Sequence, residues 1–223
     1  MARPSNPQRK PASALKTNYL VLYNVVSAFA WSVVLSSTVK AVTTRGPTHV
    51  LAEVGEWTKW TQTAAALEIL HSLLGIVRAP VFTTIMQVSS RLLLVWGIVH
   101  PFPHVALDPF YASMLLAWSL TEVIRYSFFA VTLSVGNDAF YPITWLRYNT
   151  FFVLYPVGIT SECMLIYKAM EPATKAYGPA AYYALAGVLA VYVPGSYILF
   201  TYMMKQRSKV MRGLKQKDGK ATQ

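Results

Sequence analysis

Runs of apolar residues long enough to cross a bilayer recur six times along the chain, at 19–39, 60–77, 81–99, 109–133, 145–170 and 180–204. Each approaches the roughly 20 residues that a membrane-spanning helix needs. The stretches between them hold proline, glycine and charge: Arg45, Gly46, Pro47, Glu53 and Glu56 after the first run, Arg78, Ala79 and Pro80 after the second, and HPFPHVALDPF after the third. The pattern predicts an all-α, polytopic membrane protein of one domain, with six transmembrane helices over 19–204 and polar tails at 1–18 and 205–223. The run at 60–77 is the least apolar of the six.

Polar residues inside those runs carry the chemistry. The run at 145–170 contains Tyr155 and Glu162, seven residues apart. On a helix that is two turns, or ~10 Å of rise, and both side chains project from nearly one face. Helical side chains lean toward the N-terminus, so Glu162 points back toward Tyr155. Pro156 and Gly158 stand between them, and the proline deletes the bond to the Phe152 carbonyl, which predicts a bend there. Pro194 and Gly195 predict a second bend in the last run.

Four more charges lie well inside runs, away from their ends: Glu68, Arg91, Glu122 and Arg125. A charged residue near the bilayer centre costs roughly 2.5–3.5 kcal/mol, so these groups are expected to converge on a polar intramembrane pocket. Glu68 and His71 share a helical face, and Arg91 is the natural partner for Glu68. Glu122, Arg125 and Tyr126 fall on one stripe, where Glu122 and Arg125 can neutralise each other. Structural ion pairing and lining of a substrate cavity both fit this set.

Composition agrees with the hydropathy pattern: 54% of residues are hydrophobic and 13% charged, against roughly 25% charged in soluble domains. The net charge of +11 is concentrated in the tails, which carry +4 and +6. That distribution argues against nucleic acid and for membrane lipids as the partner of the tails. They are expected as solvated, irregular ends against anionic headgroups. By the positive-inside rule both termini are cytosolic, which requires an even number of crossings. Span five then starts on the cytosolic face, with Tyr155 roughly 15 Å in and Glu162 deeper.

Cys163 is the single cysteine, so no intramolecular disulfide forms. His100 and His104, with Asp108 nearby, read as surface groups and not as a metal site. His71, Ser72 and Arg78 reproduce the spacing of a tyrosine phosphatase loop with serine at the nucleophile position. A phosphatase needs a thiolate there and free backbone amides around the phosphate, which a membrane helix does not offer.

Intramembrane carboxylates serve transporters and enzymes alike, and a membrane scaffold could use them structurally. The chain shows no internal repeat of the kind many transporters carry, and a buried carboxylate with a phenol suits acid/base chemistry. The residues alone stop at that choice. The segments LEILHSLLGIVRAP, SRLLLVWGIV, WSLTEVIRYSFFA and LRYNTFFVLYPVGITSE, with the VPG of the last run, resemble the very-long-chain (3R)-3-hydroxyacyl-CoA dehydratase family, also called protein tyrosine phosphatase-like A. The resemblance implies a multi-pass protein of the endoplasmic reticulum membrane. It implies the third step of fatty acid elongation: removal of water from a (3R)-3-hydroxyacyl-CoA to give a trans-2-enoyl-CoA, beside other elongation enzymes and with no cofactor. The family's catalytic tyrosine and glutamate fall on Tyr155 and Glu162. Glu162 as base at C2 with Tyr155 as donor at the leaving oxygen is one assignment, and the reverse is open. Arg91, Arg125, Tyr126 and Tyr148 are candidates to position the hydroxyl or thioester. Arg78, Arg147 or the basic tail are candidates to hold the CoA phosphates.

Overall fold

The computed structural model describes residues 14–136 and 141–221, with side chains through 214. Residues 1–13 of the expected N-terminal tail and 137–140 of the loop before the fifth expected span lie outside the described residues. The described chain is helical: α1 (Ala14–Thr44), α2 (Val50–Ala64), α3 (Leu67–Leu73), α4 (Val81–Leu92), α5 (Pro109–Val135), α6 (Tyr141–Asn149), α7 (Phe151–Tyr177) and α8 (Pro179–Ala221). The path of α4 continues as a π-helix, Leu93–Val99, and short 3-10 turns occupy Pro47–His49 and Pro103–Leu107.

Helix α5 is the centre of the bundle, packed most extensively on α1 and then on α7. Asp108 starts it, its side chain accepting from the Phe110 amide at 3.0 Å, with Pro109 in the first turn where the missing N–H costs nothing. Its inward face carries Tyr111, Met114, Leu115, Trp118, Glu122 and Tyr126, all buried. Leu22, Phe29, Val153, Tyr183, Val193 and Tyr197 are exposed on the outside. In water such a surface would be a liability; against lipid tails it is the expected surface of a membrane bundle.

Four helical stretches are long and apolar enough to cross a membrane: Ala14–Thr44, Val81–Val99, Pro109–Val135 and Pro179–Leu214. The bent pair Tyr141–Asn149 and Phe151–Tyr177 makes a fifth if taken as one span. The expected second span, 60–77, is divided between the end of α2 and the short α3. Its backbone tightens at Ala65 and Ala66, whose N–H groups bond to Gln62 and Thr63 three residues back at 3.1 and 3.0 Å. Helix α3 then stops at Gly75, which takes φ +65 in a Schellman closure: Ile76 N–H bonds to the His71 carbonyl at 2.8 Å and Gly75 N–H to that of Ser72 at 3.2 Å.

The fifth span has a sharp break that the sequence reading did not expect, six residues before Pro156 at Thr150, where α6 and α7 meet at 40°; Tyr155, Pro156 and Glu162 all lie beyond it in α7. There the side chains of Asn149 and Thr150 bond back to the Trp145 and Leu146 carbonyls at 2.8 and 2.9 Å, and such side-chain competition bends helices. The C-terminal tail is not irregular: α8 runs on through Lys205, Arg207, Lys209 and Arg212 to Ala221. The residues after Met204 are good helix formers that propagate a helix already nucleated in the membrane run.

Candidate active site

Small residues bring α7 against α5. A Cβ added at Gly158 would meet that of Ala117 at 3.7 Å, and the hydroxyls of Ser113 and Ser161 are 2.7 Å apart. Close approach through glycine, alanine and serine is the usual means of helix association in membranes. One residue further along each helix, the contact delivers Trp118 to Glu162. The indole Nε1 donates to Glu162 Oε1 at 2.8 Å.

The second carboxylate oxygen, Oε2, accepts from the Tyr192 hydroxyl of α8 at 2.9 Å, and Glu162 is only 8% exposed. Tyr155, half-buried two turns earlier on α7, donates its hydroxyl to the Ser196 carbonyl at 3.2 Å. Tyr192 and Ser196 are four residues apart, so one turn of α8, ~6 Å of rise, receives both groups. Tyr155 and Glu162 are thus aimed at the same face of α8. Two acceptor oxygens on Glu162 and a donating phenol on Tyr155 are the groups that acid/base chemistry at the α7–α8 seam would require.

Behind Trp118 lies a network of charge. The Arg91 guanidinium sits 5.0 Å from the Trp118 ring and binds Glu122. Arg125 Nε donates to Glu122 at 2.6 Å, and its two terminal nitrogens grip Glu68 at 3.0 and 2.6 Å. Tyr126 donates to Glu68 and lies under the Arg125 guanidinium at 4.1 Å. The partner expected for Glu68 was Arg91; it is Arg125, and Arg91 takes Glu122. The self-neutralisation of Glu122 and Arg125 is present, within this larger set.

Arg91, Arg125 and Tyr126 are therefore engaged by carboxylates, with Arg91 connected to Glu162 through Trp118. Tyr148 packs edge-on against Phe128 at 5.9 Å, and Arg147 lies 5.9 Å from the Phe129 ring. Arg78 is exposed on the turn before α4. His71 hydrogen bonds with the Tyr19 hydroxyl at 2.8 Å, and Ser72 donates to the Ala79 carbonyl at 2.8 Å, so neither surrounds a phosphate. His100 and His104 pack edge-on against Trp96 and Phe102.

A cavity of about 170 Å³, lined by Gly55, Thr58, Val95, Val99, Tyr111 and Met114 among others, does not include Tyr155 or Glu162. The polar groups at the pair are packed against one another. Sequence reasoning missed Trp118 and Tyr192. Trp118 stands four residues before Glu122 on the stripe that carries the charges, and Tyr192 two residues before Pro194; those positions were the available signals.

Comparison with known proteins places this chain in a family. Two rice proteins (Oryza sativa subsp. japonica), named very-long-chain (3R)-3-hydroxyacyl-CoA dehydratase PASTICCINO 2B and PASTICCINO 2A, are 44% and 43% identical to it; each match covers 89% of this chain and 95% of the relative. The human very-long-chain (3R)-3-hydroxyacyl-CoA dehydratase 2 is 37% identical over 88% of this chain and 82% of its own. No solved structure matches the chain. The model of the family described as protein tyrosine phosphatase-like protein, PTPLA, matches residues 62–213, and the chain belongs to that family.

Proposed function

We propose that this protein is a very-long-chain (3R)-3-hydroxyacyl-CoA dehydratase, a hydro-lyase that forms a trans-2-enoyl-CoA. The observation that carries the reading is the match, across nearly the whole chain, to relatives bearing that name. Tyr155 and Glu162 are the catalytic pair. Glu162, whose two oxygens both accept hydrogen bonds, takes the proton from C2. Tyr155, whose hydroxyl already donates, gives its proton to the C3 hydroxyl, which leaves as water while the C2=C3 bond forms. The proton on Glu162 then returns to the phenolate, and the pair is restored.

The same reading assigns the protein to the endoplasmic reticulum membrane beside other elongation enzymes, with six crossings and both termini cytosolic. The near-continuous helical path from Val50 to Leu73, ~36 Å at 1.5 Å per residue, supports α2 and α3 as the second crossing. Substrate C2 and C3 would enter between Tyr155, Glu162 and α8 by displacing the contacts that pack there.

The test is turnover of a (3R)-3-hydroxyacyl-CoA by the purified protein in detergent, read as enoyl product. Wild type is active, and Tyr155→Phe and Glu162→Gln each lose at least 100-fold in kcat, on the order expected for general acid–base groups. Full activity in either variant, at unchanged helix content, overturns the assignment of the pair.

A further inference from the structure

The helical continuation of α8 places a cation where the fold breaks. Arg207 Nε donates to Asn149 Oδ1 at 2.8 Å, and its guanidinium sits 5.3 Å from the Phe152 ring. Asn149 ends α6 and Phe152 lies in the first turn of α7, so Arg207 spans the 40° break between them. Among the described residues no carboxylate pairs with Arg207. The terminal nitrogens of Arg207 make no hydrogen bond to a described residue. A half-buried guanidinium, oriented by an amide and a ring with its fork of N–H groups unspent, is suited to phosphate oxygens.

Side-chain contacts lead from this cation to Tyr155. Phe200 touches Phe151, Phe152 and Tyr155 with ring centroids 5.7, 6.4 and 6.2 Å away, and Ser196, one turn further, accepts the Tyr155 hydroxyl. From Ser196 to Arg207 the rise along α8 is ~16 Å. An extended pantetheine arm, which separates a thioester from the diphosphate of CoA, has that reach. We infer that Arg207, held by Asn149 and Phe152, binds the phosphate groups at the nucleotide end of the acyl-CoA. The inference rests on the dehydratase reading and identifies the part of the protein that grips the nucleotide.

The experiment compares two substrates of the full-length protein: a (3R)-3-hydroxyacyl-CoA and the same acyl group on pantetheine, which lacks every phosphate. The measured quantity is the ratio of kcat/KM for the CoA thioester to kcat/KM for the pantetheine thioester. In Arg207→Gln this ratio falls about tenfold through KM, and Arg207→Lys recovers part of it. Asn149→Ala, which frees the guanidinium without deleting it, lowers the ratio by a smaller factor. A wild-type ratio in Arg207→Gln overturns the assignment. An equal loss on both thioesters also overturns it, because that marks Arg207 as structural. A fall in the ratio seen in nanodiscs with anionic lipid and absent with neutral lipid assigns the charge to headgroups and overturns it as well. Failure of wild type to turn over either thioester sinks the dehydratase reading itself, and the inference with it.

Discussion

Glu162 is held by two donors from two different helices, Trp118 of α5 and Tyr192 of α8. The role proposed for it, accepting a proton from a weakly acidic carbon, needs a fixed direction, and two donors on separate elements define one. Tyr192→Phe removes its donor with almost no change of shape, whereas Trp118→Phe removes the indole N–H together with part of a buried ring. Tyr192→Phe and Trp118→Phe are expected to lower kcat about tenfold each with KM little changed, since a hydrogen bond to a charged group contributes about 1.5–3 kcal/mol. Thermal stability in detergent is the second readout: loss of a positioning donor lowers kcat with the melting temperature little changed. Reduced kcat with a parallel fall in melting temperature would assign the two residues to packing alone.

At the scale of elements, the catalytic candidates were legible because a glutamate and a tyrosine inside the 145–170 run are visible in any reading of hydropathy. Trp118 and Tyr192 were not, because tryptophan and tyrosine are ordinary residues in membrane helices and only the rotation of α5 and α8 turns them onto Glu162. The Glu68–Arg91 assignment failed for a related reason: spacing on one helix defines a face, but the neighbour that face meets depends on the whole bundle. The break in 60–77 was hidden because Ala65 and Ala66 are as apolar as the helix on either side, and the tightening there is a backbone event. The start of α5 was legible in part, as Asp108 and Pro109. The sequence did not reveal that Asp108 also reaches Lys168 of α7, at 2.7 Å. Burial pushes the Asp108 carboxyl up, but the Lys168 ammonium and the Phe110 amide outweigh it and hold it below its ordinary value. A carboxyl lowered by folding stabilises the fold above its unfolded value, near pH 4, and loses that contribution as the pH falls through its folded value. Asp108→Asn keeps a capping oxygen and removes the charge. It is therefore expected to melt below wild type at pH 7, with the two melting temperatures converging below about pH 4. A gap that stays constant across that range would rule out the ion pair as its source.

Across the whole molecule, Glu68, Arg91, Glu122 and Arg125 join α3, α4 and α5 in a set with two charges of each sign, and the sum is zero. Glu122 is 3% exposed and receives both arginines, so neither arginine is free to leave its carboxylate for substrate without uncovering a buried anion. This network locks α3, too short to cross a bilayer alone, to the centre of the bundle, and it backs the Trp118 ring that meets Glu162. The cost of breaking a buried pair lies mostly in the partner left behind, about 3–5 kcal/mol. Arg125→Gln leaves a net negative network and Glu68→Gln a net positive one, while the double variant is neutral again. Thermal unfolding in detergent, followed by loss of monodisperse protein, is expected to show each single variant strongly destabilised. The double variant should fall short of the summed losses by about 1–3 kcal/mol. Strictly additive losses would mean that Glu68 and Arg125 stabilise the bundle through separate contacts, and that α3 is held by its apolar face instead of by charge.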